Sequence, residues 1–573
     1  MRRCRTAFGS KGVWRFASLT DGVRIFKAIA SGALVGLGLV VLGLPQTGIL
    51  LSVPLIYAFV ALALLGGARL LYRWSKDRNL YSVDGPRVLI AGAGQAGEML
   101  VRSMLRGALR GYKPIGFVDD NLRRIGREIQ GIKILGATDE IPYLVAQHSI
   151  DIVLLAMPSA KPSDRRRIVS QCDEAGIAFL SVPELGDLLN GRVAISDLRD
   201  VSIEDLLGRD PVSLDWPSIT KRLSSRCILV TGAGGSIGSE LCRQIARISP
   251  RRMLLVDISE FHLFEIEREM RREFPAIEAR CFLGDVLDRP FVERVLAEER
   301  PDVVFHAAAY KHVPMLESQI RQAVRNNFLA TKILAEAADK FAVDQFVLVS
   351  TDKAVNPFNV MGASKRAAEI FCQNLNDQST TGFITVRFGN VLGSAGSVIP
   401  LFREQIASGG PVTVTDRRME RYFMTITEAA QLILQTTVIG EGGEIFVLDM
   451  GEPVKIKYLA EQMIRLSGKE PGQDIEIVYT GLRPGEKLFE ELFHQQEQLE
   501  GTQHPKVLLA RRRKVPWTWL KGKVAEIEDA CIDADEERLL QRLIALVPEY
   551  GEHRGGDAVV ARQPGAEVVF LKP

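Results

Sequence analysis

The chain begins with an apolar stretch that is long enough to cross a membrane twice. No Asp, Glu, Lys or Arg occurs in the 41 residues from Ala28 to Ala68. One helix needs about 20 residues to span the hydrocarbon core, and Pro45–Gly48 interrupts the stretch at a turn signal. The pattern predicts a membrane hairpin over residues 1–80, with helices near 24–44 and 49–72. A signal peptide followed by a buried helix is the alternative, but the basic leader is too long for one, and a second full apolar span follows it.

Basic residues flank this hairpin on both sides, and its connecting turn has none. They are Arg2, Arg3, Arg5, Lys11, Arg15, Arg24 and Lys27 before it, and Arg69, Arg73, Lys76 and Arg78 after it. Because basic residues stay on the cytoplasmic side of a membrane, both ends of the hairpin are predicted to be cytoplasmic. The remainder of the chain is then expected in the cytosol.

After the hairpin, short apolar runs alternate with helical patterns, which is typical of α/β folds with a parallel sheet. The first run, PRVLIA, leads into the GxGxxG glycines Gly92, Gly94 and Gly97, and a helical pattern follows. This order predicts a phosphate cradle at a helix N-terminus. Residues 82–200 are therefore predicted to form a first Rossmann-like domain, and 201–224 a linker. The glycines could equally serve strand–helix packing alone, and no catalytic constellation accompanies them.

A second glycine loop follows the strand pattern RCILVT and has the wider TGxxGxxG spacing. Its candidate cofactor-binding residues are Thr231, Gly232, Gly235, Ser236, Ile237 and Gly238. The next apolar run ends at Asp257, 19 residues beyond Gly238. A carboxylate there can accept both ribose hydroxyls of adenosine and would repel a 2′-phosphate, so NAD is favoured over NADP. The alternative is that one of the nearby arginines, Arg243, Arg251 or Arg252, meets a phosphate.

Further strand patterns also end in small or polar residues. Asp285 and Val286 follow the third run, where they could contact adenine, and Ala307 with Ala308 would let a cofactor approach the fourth. Ligands of open parallel sheets bind beyond the carboxyl ends of the strands. These residues, together with the polar STDK segment that ends the fifth run, are therefore predicted to lie around one cleft. His306 is interpreted as a packing histidine.

Composition excludes several classes of protein. With 573 residues, the chain is long enough for roughly four domains. Lys and Arg exceed Asp and Glu by only two, so no nucleic-acid partner is indicated. The seven Cys and seven His lack CxxC or zinc-type spacing, so neither a structural metal site nor a disulfide framework is predicted.

Seven segments together resemble the extended short-chain dehydrogenase/reductase superfamily. They are TGAGGSIG, HAAAYKHVP, STDKAVNP, VMGASK, RFGNVLGS, RYFMT and GLRPGEKLFEEL. More narrowly, the chain resembles the membrane-anchored nucleotide-sugar 4,6-dehydratases of bacterial polysaccharide and glycan synthesis, over nearly its whole length. The resemblance implies a dehydratase domain over residues 225–500, followed by a C-terminal tail over 501–573. It also implies a multi-pass protein of the bacterial inner membrane that assembles as a homo-oligomer, with the bilayer as a partner.

Two features depart from the wider pattern. The family usually has four membrane helices, whereas this chain has room for two, which suggests a shortened N-terminus. Most of the superfamily has Tyr four residues before the active-site Lys, whereas here Met361 precedes Lys365. Methionine is typical of the large membrane-anchored dehydratases, so the substitution favours that branch and weakens the transfer of a tyrosine-based mechanism.

The implied reaction removes water from UDP-N-acetylglucosamine and gives a 4-keto-6-deoxy sugar, with NAD as the cofactor. By resemblance, Asp352 protonates the C6 oxygen, and Lys353, held neutral by burial or a nearby cation, takes the C5 proton. Thr351 is the first candidate for the C4 hydroxyl proton and Asp352 the second. Lys365 would hold the nicotinamide ribose, and Met361 would pack against the sugar or nicotinamide. An ordinary surface pair is the alternative for Asp352 and Lys353.

Four residues of the C-terminal half are implied to bind the substrate. Arg421 and Arg483 match family positions that grip the diphosphate, since guanidinium groups suit phosphate oxygens. Glu486 would take ribose hydroxyls, and Asn390 would hold phosphate or uracil. Two other functions remain open: a nucleotide-sugar 4-epimerase or reductase on the same fold, and a non-catalytic membrane protein that senses nucleotide sugars.

Overall fold

The computed structural model divides the chain into two compact units, residues 1–160 with 167–200, and 161–166 with 201–573. It describes residues 27–35, 56, 58–61, 63–64, 85–106, 112–157, 160, 162–181, 199–200, 212–491, 499–510 and 514–553. Most of the predicted membrane hairpin lies outside these ranges. Within them, no helix combines the length and the apolarity that a membrane crossing requires.

The first unit contains a mostly parallel β-sheet and α-helices. Its strands are β1 (Arg87–Ala91), β2 (Lys113–Val118), β3 (Glu128–Ile129), β4 (Ile132–Gly136), β5 (Ile152–Leu155), β6 (Ala178–Ser181) and β7 (Arg199–Asp200). Its helices are α1 (Gln95–Arg106), α2 (Ile141–His148) and α3 (Pro162–Glu174). The strand order is β3-β4-β2-β1-β5-β6-β7, with parallel pairing from β4 through to β6. The predicted Rossmann-like character of this unit is confirmed.

The second unit is built on a longer sheet. Its main strands are β8 (Cys227–Thr231), β9 (Arg252–Asp257), β10 (Ala279–Leu283), β11 (Val303–His306), β12 (Gln345–Val349) and β13 (Gly382–Arg387). Short strands β14 (Asn390–Val391), β15 (Val412–Val414), β16 (Glu420–Arg421) and β17 (Phe423–Met424) precede β18 (Ile445–Leu448). The last strands are β19 (Val454–Lys455), β20 (Ile477–Tyr479), β21 (Leu499–Gly501) and β22 (Val507–Ala510).

Helices connect these strands. They are α4 (Trp216–Leu223), α5 (Ser236–Ala246), α6 (Glu260–Glu273), α7 (Arg289–Glu299), α8 (Val313–Glu317), α9 (Ile320–Ala323), α10 (Ala330–Lys340) and α11 (Val360–Asn376). The remaining ones are α12 (Val398–Ala407), α13 (Ile426–Ile439), α14 (Ile456–Leu466), α15 (Trp517–Ile532), α16 (Glu536–Leu546) and α17 (Pro548–His553). A π-helical turn, Val324–Leu329, joins α9 to α10.

The order of the strands determines where a ligand can bind. The sheet runs β10-β9-β8-β11-β12-β13-β18-β22-β21, and every pair from β10 to β18 is parallel. From β8 the chain adds β9 and β10 on one side of the sheet, and it then adds β11 and β12 on the other side. The strand order therefore reverses between β8 and β11, and ligands of doubly wound sheets bind in the crevice at that point. Both strands are wholly buried, which explains why they appear in the sequence as continuous apolar runs.

A smaller layer covers part of the carboxyl edge of this sheet. It contains three two-stranded sheets, β14–β17, β15–β20 and β16–β19. Helices α12 and α14 pack on a separate apolar cluster that includes Phe402, Leu459 and Ile475. This layer carries the segments in which substrate residues were predicted.

The structure differs from the predicted boundaries at both ends of the second unit. Ile219 and Leu223 of α4 are fully buried in the core, so the predicted linker contains a packed helix. At the other end, β22 pairs antiparallel with β18, and α15 to α17 pack on the core beside α11. The predicted tail is therefore part of this unit up to residue 553. The predicted tail is highly charged, but it also has apolar residues at helical spacing. These residues pack on the core, which explains the difference.

Candidate functional site

The glycine loop at the switch point is shaped by close contacts that exclude side chains. A Cβ on Gly238 would lie 1.9 Å from the carbonyl oxygen of Gly232, and one on Gly232 would lie 2.8 Å from the Ala308 backbone. Gly232 also has φ of +63°, which favours glycine. Helix α5 begins at Ser236 with Gly235 as its N-cap, so its first turn presents backbone N–H groups. These features fit a cofactor phosphate.

The predicted adenosine residues gather at the same edge of the sheet. Asp257 ends β9, and its carboxylate accepts hydrogen bonds from the backbone N–H groups of Gly234 and Ser259, both at 2.9 Å. Its carbonyl oxygen accepts a bond from Gly284, directly before Asp285 and Val286. The carboxylate is thus oriented beside the glycine loop, as a ribose-binding acid must be.

The three arginines that could have met a 2′-phosphate have carboxylate partners in the structure. Arg243 forms a two-pronged ion pair with Glu269, with N···O distances of 2.6 and 3.0 Å, and also bonds Glu240. Arg251 pairs with Asp302, and Arg252 pairs with Glu278 and Glu299. Arg251 and Arg252 lie at the start of β9, so they are at the opposite end of the strand from Asp257.

His306 is a packing residue, as interpreted from the sequence. It is fully buried between two hydroxyls, with Nδ1 2.7 Å from Thr231 Oγ1 and Nε2 2.9 Å from Thr331 Oγ1. Because the Thr331 hydroxyl donates to the Asn327 carbonyl, it accepts from Nε2–H, and the Thr231 hydroxyl donates to Nδ1. Burial, together with the nearby charge of Lys365, lowers the pKa of His306 to about 3, so it stays neutral.

Thr351, Asp352 and Lys353 form a connected turn at the end of β12. Asp352 Oδ1 accepts hydrogen bonds from the Thr351 hydroxyl and from the Lys353 ammonium, both at 2.9 Å. Asp352 is 2% exposed, so the pair is not a surface turn. Its other oxygen, Oδ2, is buried and has no hydrogen-bond partner within the described part of the chain. A buried carboxylate oxygen without a partner is costly unless a ligand supplies one.

The charge of Lys353 differs from the sequence-based expectation of a neutral lysine. Its Nζ also lies 3.3 Å from Asn390 Oδ1 and 3.7 Å from Glu490 Oε1. Burial alone lowers the pKa of Lys353, but the carboxylates of Asp352 and Glu490 outweigh burial, and the pKa is raised. Lys353 is therefore protonated at rest, because two carboxylates stabilise its charge in a site largely shielded from water.

Helix α11 packs its first turn directly on the turn formed by Thr351, Asp352 and Lys353. Asn359 caps the helix by accepting a hydrogen bond from Gly362 N–H at 2.7 Å, and a Cβ on Gly362 would lie 2.0 Å from the Lys353 carbonyl oxygen. Met361 and Lys365 are both buried, one helical turn apart. Lys365 Nζ donates to the Val349 carbonyl at 2.6 Å, and burial lowers its pKa to about 8.

The predicted substrate residues have partners of their own in this structure. The guanidinium of Arg421 donates to the carbonyl oxygens of Glu420, Lys487 and Leu488 at 2.7 to 3.0 Å, so it organises the end of the RPGEK motif and the residue after it. Arg483 is exposed and forms an ion pair with Glu486 at 3.1 Å. Asn390 lies beside Lys353, with Lys353 Nζ 3.3 Å from its Oδ1.

Sequence reasoning assigned no role to several residues that complete the site. Glu490 lies within 4 Å of both Lys353 and Arg421, although it is distant from them in sequence. Asn359 bonds the Gly485 carbonyl at 3.0 Å and so joins α11 to the RPGEK segment. The motif GLRPGEKLFEEL already contained Glu490, but only the folded chain shows which of its carboxylates faces Lys353.

A loop between β14 and α12 crosses towards the glycine loop. The Ala395 backbone N–H donates to the Ser236 hydroxyl at 3.1 Å, and Lys311 Nζ donates to the Ser394 hydroxyl at 3.3 Å. The hydroxyl of Ser236 is therefore bound to this loop, and its contribution to cofactor binding stays a prediction.

Known protein families and relatives match most of this chain. Residues 228–512 match the family described as polysaccharide biosynthesis protein, and residues 7–183 match one described as a CoA-binding domain. The capsular polysaccharide biosynthesis protein CapD of Staphylococcus aureus is 44% identical over 490 residues, which cover 84% of this chain and 81% of that protein. The chain belongs to the polysaccharide biosynthesis protein family.

Two kinds of enzyme are similar to about half of this chain. A UDP-N-acetylglucosamine 4,6-dehydratase (inverting) of Campylobacter jejuni is 34% identical over 269 residues, covering 46% of this chain and 76% of that protein. A UDP-glucose 4-epimerase of Rickettsia massiliae is 32% identical over 284 residues, covering 48% of this chain and 79% of that protein. The polysaccharide biosynthesis protein is thus an enzyme of the nucleotide-sugar dehydratase and epimerase kind.

Proposed function

We propose that this polysaccharide biosynthesis protein catalyses the 4,6-dehydration of UDP-N-acetylglucosamine to a UDP-4-keto-6-deoxy sugar. The observation that carries the proposal is the buried Asp352–Lys353 pair, in which Asp352 Oδ2 has no partner in the described structure. An elimination needs one group to remove the C5 proton and another to protonate the departing C6 oxygen. A hydrogen-bonded carboxyl and amine at the end of β12 supply both.

NAD is the proposed cofactor, and the residues at the switch point fit it. The loop from Gly232 to Gly238 would hold the pyrophosphate, Asp257 the adenosine ribose and Lys365 the nicotinamide ribose. When bound, NAD would accept hydride from C4 of the sugar and return it to C6. The protein's own contribution is to bind and orient the two ligands and to move protons.

Proton movement can be assigned to the turn formed by Thr351, Asp352 and Lys353, which we call the catalytic turn. The Thr351 hydroxyl donates to Asp352 Oδ1, so it can pass the C4 hydroxyl proton to that carboxylate. Asp352, once protonated, can donate to the C6 oxygen as water leaves. Lys353 takes the C5 proton after losing its own. Met361 has no transferable proton, which is why the route runs through the turn after β12 and not through α11.

The ion pair between the exposed Arg483 and the mostly buried Glu486 is the proposed entry point for the UDP moiety. Glu486 holds the Arg483 guanidinium at 3.1 Å, and the arginine remains mostly exposed. A diphosphate could displace that carboxylate, because a guanidinium binds phosphate oxygens in the same forked manner. Arg421 would act indirectly, through the segment whose carbonyls it holds.

Mass spectrometry of products from UDP-N-acetylglucosamine tests the function. Dehydration gives a product lighter by one water, and 4-epimerisation gives a product of unchanged mass that chromatography separates. A sensing protein gives neither. The same preparation carrying Asp352→Asn is the control, because it retains the fold but has no carboxylic proton to donate. Water loss that is equal in both preparations would assign the activity to a contaminant.

Asp257→Ala should weaken the preference for NAD over NADP. The carboxylate favours ribose hydroxyls and repels a 2′-phosphate, and the nearby arginines are paired elsewhere. The measurement is the ratio of dissociation constants for the two cofactors in wild type and variant. Asp302→Ala, at the opposite end of the sheet, is the control and should leave the ratio unchanged. A wild-type protein that binds NADP more tightly would contradict the assignment.

We further propose that the protein is anchored in the bacterial cell membrane by the hairpin of residues 28–68, with both ends in the cytoplasm. The flanking basic residues support this orientation. A reporter that is active only in the cytoplasm, fused after Arg78, should be active, and one fused within the turn at Gln46 should not. Periplasmic activity at Arg78 would contradict the topology.

A further inference from the structure

The proposed dehydration needs one more proton-binding group than the catalytic pair provides. At rest, Asp352 is paired with a protonated Lys353, so the two residues share one mobile proton. At the elimination step Asp352 must be protonated and Lys353 neutral, which again requires one proton in the pair. The C4 hydroxyl has by then released a second proton. That proton needs a third site.

Glu490 has the geometry of this third site. Its Oε1 lies 3.7 Å from Lys353 Nζ and 3.8 Å from Arg421 Nε, and its side chain is only 6% exposed. Within the described residues, the ion pairs of Lys353 are with Asp352 and Glu490. A rotation of the lysine ammonium that shortens the longer separation by about 1 Å would give a hydrogen bond.

The charges around Glu490 would favour proton transfer once the reaction has begun. Lys353 faces it from the catalytic turn and Arg421 from β16, while Asp352 is paired with Lys353 at 2.9 Å. The adjacent pair Lys487 and Glu491 belongs to the same segment. When Asp352 gains the C4 hydroxyl proton, the stronger of the two carboxylate effects on Lys353 disappears. A buried ammonium beside one remaining carboxylate can then neutralise both charges by giving up a proton.

We propose that Glu490 accepts the surplus proton of Lys353 before C5 deprotonation and returns it when the product has formed. This assignment rests on the proposed dehydratase function. Glu490 acts through Lys353 and is therefore a positioning residue, because it determines whether Lys353 is protonated or neutral. Arg421 would hold the segment that carries Glu490 by binding its backbone carbonyls.

The proton and bond balance then closes over one turnover. The C4 hydroxyl proton passes to Asp352 and leaves with the C6 oxygen as water, while the C4–H hydrogen is carried to C6 as hydride. Lys353 gives its proton to Glu490, takes the C5 proton as the C6–O bond breaks, and returns a proton to C5. Glu490 finally reprotonates Lys353. The substrate loses one water, and every residue regains its starting charge.

Glu490→Gln tests the assignment, because the amide keeps the size of the side chain but cannot accept the proton. We expect kcat to fall about 10²-fold or more, with little change in the KM for UDP-N-acetylglucosamine. Chemical quenching should reveal a 4-keto sugar that has lost two hydrogens but no water. Because Lys353 must then release its proton to solvent, the residual rate should rise about tenfold per pH unit between neutral pH and the pKa of that lysine.

A spectroscopic measurement tests the proposal independently of turnover. Infrared difference spectra of the wild-type protein with NAD and the UDP-sugar should show a protonated carboxyl band in addition to that of Asp352, and this additional band should be missing in Glu490→Gln. Glu490→Asp keeps a carboxylate. It should retain part of the rate and should lack the rise in rate with pH that is expected of Glu490→Gln. Glu299→Gln is the matched control, since Glu299 is a buried carboxylate paired with two arginines at the opposite end of the sheet.

The outcomes separate the two proposals. If the wild-type protein removes no water from UDP-N-acetylglucosamine, the dehydratase function is overturned, and the role of Glu490 with it. If the wild type removes water and Glu490→Gln shows the same rate, pH profile and carboxyl band, only the role of Glu490 is overturned. The surplus proton would then leave by another group, with Lys365 the next to test.

Discussion

Lys353→Ala is expected to lower the rate of dehydration about 10²–10⁴-fold, the range typical for loss of a positioned proton-transfer group. Binding of the UDP-sugar and of NAD should change little, because the proposed phosphate contacts come from the glycine loop and from Arg483. The 4-keto sugar that has not lost water should still form, since C4 oxidation needs Asp352 and not Lys353. Quenched-flow mass spectrometry and equilibrium binding measure these separate effects.

Stability must be measured on the same Lys353 variant. Removing the ammonium leaves the carboxylates of Asp352 and Glu490 buried near one another, with Arg421 as the remaining cation, so some loss of thermal stability is expected. Lys332→Ala is the matched control, because Lys332 is a mostly buried lysine paired with Glu336 and Glu528 outside the site. It should lose stability without losing the chemical step. Near-normal dehydration in Lys353→Ala would place the base elsewhere, with Thr351 or a bound water as the next candidates.

The geometry of the glycine loop could be predicted because its signals are local in sequence. The loop from Thr231 to Gly238 and the acid at Asp257 lie within one βαβ unit. The spacing of the glycines already implies positions without room for a side chain, and the structure has close contacts there. The chain passes directly from β8 into α5, so no distant segment had to be placed. For the same reason, the buried strands β8 and β11 appear in the sequence as unbroken apolar runs.

The charge state of Lys353 could not be predicted in full, because it depends in part on contacts between distant segments. The sequence shows Lys353 next to Asp352. It does not show that Glu490, which follows the RPGEK motif, lies within 4 Å of Lys353 in the folded chain. The carboxylate of Asp352 raises the pKa of Lys353 most, and the carboxylate of Glu490 adds to that effect. Arg421 shows the same dependence on distant segments, because the carbonyls of Lys487 and Leu488 surround its guanidinium only after folding.

Glu369→Ala should cause the largest loss of stability, about 3–5 kcal/mol, by breaking a buried ion-pair network behind the catalytic turn. Glu369 is fully buried on α11, forms a two-pronged pair with Arg387 of β13 at 2.7 and 2.8 Å, and also pairs with Arg366 at 3.0 Å. The Ser350 hydroxyl donates to it at 2.6 Å, directly before Thr351. Denaturant unfolding of the full chain measures the loss, and activity should fall with the displaced turn.

The pH dependence of that stability identifies the network as the cause. Burial alone raises the pKa of Glu369, but Arg387, Arg366 and Ser350 outweigh burial and lower it to about 2, from an ordinary value of 4.5. A lowered folded-state pKa contributes stability that is fully present above about pH 4.5 and is lost as the pH falls towards 2. The shift corresponds to about 3 kcal/mol, so the wild-type protein should lose this contribution in that window.

Glu369→Gln separates this charge effect from packing. The amide fills the same volume and cannot ionise, so the variant should be less stable near neutral pH but should lack the Glu369-dependent loss between pH 4.5 and 2. Glu293→Ala is the control, because Glu293 pairs with Lys340 and Arg289 at the surface, where ion pairs contribute little. An unchanged acid-unfolding profile in Glu369→Gln would mean that other carboxylates dominate the acid sensitivity. The buried guanidinium groups would then be stabilised by partners other than Glu369.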